Sequence, residues 1–212
     1  MKINRVIKYL ILADLAFWTG WGLVSPVFPI FIVERIGGTA FSVGIAVAVY
    51  WITKSILEYP IGLLLDRRKG DDDDYTVLVC GALLACVIPV GYILVKEMWN
   101  IYVLQFFYGV GMAASIAGWR ALFTRNIDKG HEAADWSLDD TVLGFGTGIS
   151  SLISGFLVYK FGFEPSFIVA TSMGLLGVVF LLCLKKDILG SFGSAGYFDL
   201  KKIFNLNTKK RK

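Results

Sequence analysis

Residues 40–70 read AFSVGIAVAVYWITKSILEYPIGLLLDRRKG. From Ala40 to Leu65 the only charged side chains are Lys54 and Glu58. Such a run exceeds the roughly 20 apolar residues that a helix needs to cross a bilayer. It ends abruptly in Asp66, Arg67, Arg68 and Lys69, a charged stop that suits a membrane face. Outward from this stretch, five more runs of the same kind cover residues 7–33, 75–95, 98–124, 137–159 and 163–184. The connectors are short, and no remainder is long enough for a soluble domain of ordinary size. The hydrophobic fraction of 56% agrees, since soluble domains average roughly 45–50%. The expected class is an all-α membrane protein of six transmembrane helices. Residues 1–6 form a short N-terminus, 7–184 the bundle, and 185–212 a basic tail.

Charge placement sets the expected orientation. Of the 21 basic residues, only Arg35, Lys96 and Lys160 fall in connectors on the far side, and Lys54 lies within a span. All the others collect at the N-terminus, between spans two and three, between spans four and five, and in the tail. The positive-inside rule therefore puts both termini in the cytoplasm, in the plasma or inner membrane. An even number of spans demands the same. The first span follows Lys2, Arg5 and Lys8 as a secretory signal would, but it is too long and lacks a small-residue cleavage site. It reads as a retained helix. Cys80, Cys86 and Cys183 all lie in apolar spans and read as small core residues.

Span one ends in Ser25-Pro26-Val27-Phe28-Pro29, where prolines kink the helix and free carbonyls that neighbours or a cavity must satisfy. Gly109 and Gly111 in span four, and Gly144 and Gly148 in span five, are spaced for close helix packing. Residues 71–74 are four aspartates and read as a solvated acidic loop; His131 reads as a surface residue. Residues 197–205 carry Tyr197, Leu200, Ile203 and Phe204 on one helical face, the pattern of an interfacial helix on an anionic leaflet. Residues 207–212 read as disordered.

Asp14, Lys54 and Glu58 sit inside spans, where each charge costs at least ~2.5–3.5 kcal/mol and so seeks an interior partner. Lys54 and Glu58 are one helical turn apart on a shared face. At about 1.5 Å per residue, Asp14 and Glu58 lie at similar depths, roughly 12 Å from the cytoplasmic ends of their helices. A triad of Asp14, Lys54 and Glu58 is therefore allowed. It serves either as a substrate or proton site or as a structural ion pair that fixes helix register. Trp18, Trp21, Tyr50 and Trp51 either line a cavity for a small organic solute or pack against lipid and helices. Gln105 and Arg120 are the polar groups of span four, and Asp66 is the expected partner of Arg120. No nucleophile–base set, phosphate loop or metal cluster is present, so an enzyme is not expected, nor is a cofactor, a metal or a nucleic-acid partner.

Six spans with both termini inside, and Gly62-x-x-x-Asp66-Arg67 between spans two and three, resemble one half of a major facilitator superfamily transporter. Gly109 and Gly111 resemble the glycines of that family's span-four element, with Gln105 in its arginine slot and Tyr108 in its glutamine slot. The resemblance covers about residues 5–185 and implies a half bundle with a 3+3 repeat. It implies a cytoplasmic gate built on Gly62, Asp66 and Arg67, with Arg120 beside them. Asp14, Lys54, Glu58, Trp18, Trp51 and Gln105 are the candidates for the substrate or proton site. Because the family's usual members have twelve spans, a parallel homodimer is expected to supply the second half. The expected function is secondary-active transport of a small solute, with protons as a candidate coupling ion. The alternative is a non-transporting scaffold or partner-binding subunit on the same bundle.

Overall fold

The computed structural model describes residues 4–67, 71–127 and 130–189. The expected interfacial helix, the end of the tail, and Arg68, Lys69 and Gly70 of the loop lie outside the described residues. Within them the chain forms seven helices: α1 (Arg5–Val24), α2 (Phe28–Glu34), α3 (Ala40–Arg67), α4 (Asp71–Ile93), α5 (Met98–Asn126), α6 (Glu132–Phe161) and α7 (Phe163–Leu189). Helices α1 and α2 together make one span, so six segments are long and apolar enough to cross a membrane.

Local chemistry explains the boundaries. The Asn4 side chain caps α1 by accepting from the Val6 N–H at 3.1 Å, and its amide donates to the Asn126 carbonyl at the end of α5, also at 3.1 Å. Thr39 and Ser42 cap α3 reciprocally, each hydroxyl accepting from the other's backbone N–H at 3.3 Å. Residues 71–74 are no loop. They are the first turn of α4, where the helix dipole favours acids. Gly162 takes φ +82° in the single-residue joint between α6 and α7, a conformation that suits glycine.

The break between α1 and α2 follows from Pro26. Proline has no N–H for the Gly22 carbonyl, and the Val27 N–H bonds to Val24 instead, which frees Leu23 as well. Three serines from α6 and α7 take up the slack. Ser151 donates to the Gly22 carbonyl at 3.1 Å, while Ser154 and Ser166 both donate to that of Leu23, Ser166 at 2.9 Å. The same logic applies at Pro89 in α4, where the Val90 N–H finds the Thr171 hydroxyl of α7 at 3.1 Å.

The packing is symmetric under exchange of the first three spans for the last three. Helix α1 packs on α6 and α7, α5 packs on α3 and α4, and α4 meets α7 between them. This is a 3+3 repeat with its first helices crossed over. Small residues make the central contacts possible. A Cβ on Gly81 of α4 would fall 2.4 Å from the Ser115 nitrogen, and one on Gly177 of α7 would fall 2.8 Å from the Ala13 carbonyl oxygen. Apolar burial gives no drive between helices in lipid, so such close approach is what holds them.

Two apolar clusters fill the bundle. One, near the α1 N-terminus, gathers Ile7, Leu10, Trp119, Phe123 and Leu181. The other, at the opposite end, gathers Phe28, Phe31, Tyr92, Ile101 and Phe167. Helices α3 and α6 stand at the two ends of the row, each leaning on one main neighbour. Only 17% of the apolar window of α3 and 11% of that of α6 is buried.

Candidate functional site

One turn of α3 separates Lys54 from Glu58, and their side chains meet at 2.6 Å. Lys54 is only 8% exposed. Arg120 of α5 binds the other carboxylate oxygen of Glu58, and its own side chain is 60% exposed. Glu58 thus bridges two cations, one buried and one open, and the set carries a net positive charge. Arg120 was expected to pair with Asp66. Helical side chains lean toward the N-terminus of their helix, so Arg120 reaches back to the level of Glu58, away from Asp66.

Glu58 and Arg120 line a cavity of about 620 Å³ between α3 and α5. Gly62 and Asp66 of the loop motif line it too, with Ser55 and Thr124. The substrate-site candidate and the gate candidate are therefore parts of one cleft. Arg67 is exposed at the end of α3. One turn before Lys54 the chamber gives way to packed rings. Tyr50, Tyr108 and Trp21 form a mutual stack with centroids 5.1, 5.5 and 6.0 Å apart. Trp51 stands outside it, 53% exposed, with the Lys54 ammonium 5.2 Å from its ring centre. Gln105 is buried, and its amide oxygen has no partner among the described residues.

Asp14 does not join Lys54 and Glu58. The reason lies in the fold: α1 packs on α6 and α7, whereas α3 packs on α5. Asp14 interacts instead with Asp139 of α6 and hydrogen-bonds the Trp18 side chain. Gly109 and Gly111 are packing residues within the chain, the first against Tyr50 and Thr53 of α3, the second against Gly81 and Ala85 of α4. Gly144 and Gly148 are not: added Cβ atoms there would meet nothing within 4 Å, and the same holds for Gly62.

Sequence reasoning passed over a second ion cluster. Arg125 of α5 binds Asp71 at 3.1 Å and also binds Asp74, which is fully buried. It also passed over Asp135 and Asp139, four residues apart on α6 and both buried. The four-residue spacing was the available signal. Two carboxylates per turn on one face of a membrane helix do not belong on lipid. His131 is exposed and stands at the N-cap of α6.

The family model of the Major Facilitator Superfamily matches residues 10–193. Among curated proteins none matches. Among solved structures, the in meso crystal structure of the POT family transporter PepTSo superposes with a TM-score of 0.73 at 16% identity. The match covers 88% of this chain and 38% of that one, so the chain spans well under half the length of the protein it resembles. At such identity the likeness speaks for the fold. The 3+3 bundle, the six apolar spans and the family match lead to one conclusion: the chain belongs to the Major Facilitator Superfamily and is a multi-pass membrane transporter.

Proposed function

We propose that the chain is one half of a secondary-active transporter for a small solute, working as a parallel homodimer with substrate bound between the copies. The observation that carries this reading is the cleft of α3 and α5. It holds a buried lysine, a bridging carboxylate and an open arginine in one chamber. A charged set this deep in a membrane protein is costly, and function is the usual reason to keep it. In this reading Glu58 and Arg120 engage the solute, Lys54 holds Glu58 in place, and Trp51 and Gln105 shape the wall. Gly62, Asp66 and Arg67 close the cleft at the cytoplasmic face. The distribution of basic residues supports cytoplasmic termini in a plasma or inner membrane.

The dimer follows from what α3 and α6 leave open. Gly44, Ala48, Ser55 and Gly62 share a stripe on α3, and Gly144, Gly148 and Gly155 share one on α6. All five glycines face empty space. Lipid gains nothing from a groove of glycines, whereas a helix backbone does. A row with two open ends closes when a two-fold axis along the membrane normal brings each α3 against the partner's α6. The test is single-molecule bleaching of tagged protein at low density in lipid, joined to a thermal-shift screen of small solutes. Two-step bleaching, with a stabilising solute whose effect is lost in Glu58→Gln, is the expected result. One-step bleaching overturns the dimer. A solute response untouched by Glu58→Gln overturns the site.

A further inference from the structure

The carboxylates of Asp14 and Asp139 face each other across α1 and α6, away from the cleft. Asp139 is 2% exposed, and one of its oxygens has no partner. No basic side chain pairs with either acid among the described residues. The ionisable neighbour of Asp139 on its own helix is another acid, Asp140. Asp135, one turn earlier, adds a further carboxyl to the same face of α6.

Beside Asp14 lies a pocket of about 10 Å³, close to the smallest space that holds a single water. From α4 and α7 it receives only apolar residues, among them Leu78, Ala82, Val178 and Leu181. From α5 it receives Ser115 and Trp119. Trp119 is 7% exposed, and its indole N–H has no partner. A buried donor without an acceptor costs about 1–3 kcal/mol, so a group that accepts from it is wanted there. Two acids without a counter-charge, in a wall of apolar side chains, are not both ionised in a membrane interior.

We propose that Asp14 and Asp139 form a proton-binding site, with one water in the adjoining pocket linking Asp14 to the Trp119 indole. The proton rests between the two carboxyl groups, so the pair carries at most one negative charge. The donor pointing into the pocket selects a proton over sodium. A metal cation needs several oxygen ligands, and the pocket offers an N–H and a hydroxyl. The coupling role of the proton rests on the transporter reading above, but its binding does not.

Infrared difference spectroscopy of the full chain in lipid, between acid and alkaline pH, tests this directly. The expected result is a protonated carboxyl band at neutral pH. It shifts in Asp14→Asn and in Asp139→Asn, disappears in the double variant, and is untouched by Asp72→Asn. Trp119→Phe is expected to move its frequency, through loss of the water-borne hydrogen bond. Replacing choline by sodium at constant ionic strength leaves it in place. No such band at neutral pH in the unaltered protein, a band that survives the double variant, or one that sodium abolishes overturns the proposal. The spectrum is read without flux. A band without transport leaves the proton site standing and removes the transporter reading; transport without the band does the reverse.

Discussion

Glu58 holds two cations, and a bridge of this kind is better probed by a cycle than by single changes. Glu58→Gln leaves Lys54 buried without a counter-charge. Breaking a fully buried pair costs roughly 3–5 kcal/mol, and the loss here belongs near the lower end because Arg120 is open to solvent. Lys54→Gln combined with Glu58→Gln is expected to be more stable than Glu58→Gln alone, as read by melting in detergent. Arg125 is the second case. Arg125→Ala strands the fully buried Asp74 and lowers the melting temperature, and Asp74→Asn in the same chain restores most of it. The sequence showed which charges lie within the membrane, because depth can be counted along a helix. It did not show who pairs with whom. Asp14 and Glu58 have the same depth, yet they belong to helices that pack on different neighbours. Asp74 looked like one of four solvated acids, and only the arrival of Arg125 from another helix makes it interior.

Helices, unlike pairs, were largely readable. Each span announced itself by length and hydropathy, and the Pro26 break was foreseeable from covalent chemistry alone. The serines that receive its freed carbonyls lie more than a hundred residues further on, beyond any local reading. Glycine spacing was visible too, but not its target, since the same motif serves contacts inside and outside the chain. The two classes separate by experiment. Gly81→Ala drives a methyl group into backbone and is expected to cost about 1–3 kcal/mol, seen as a lower melting temperature. Gly148→Ala meets only open space in the bundle. It is expected to leave the melting temperature of isolated bundles unchanged and to reduce the two-step fraction in bleaching.

For the whole molecule, the row of helices has two ends and the proposed axis joins them. Ala48 of α3 and Leu152 of α6 lie at matching depths, and both are exposed. With the native cysteines replaced, Ala48→Cys together with Leu152→Cys is expected to give a disulfide-linked dimer on a denaturing gel. Each single variant is expected to run as a monomer. A linked band from either single variant, or none from the pair, contradicts the arrangement of α3 against the partner's α6.

The serines at the α1 break bear on how such a protein moves. Ser151, Ser154 and Ser166 tie the severed end of α1 to α6 and α7. The outer segment α2 therefore has no free pivot, although a proline break invites one. With glycine contacts locking α4 to α5 and α1 to α7, the six spans behave as one stiff lever. A lever has no separate inner and outer gates: whatever draws the Glu58 end of two copies together must part their α2 ends by the same stroke.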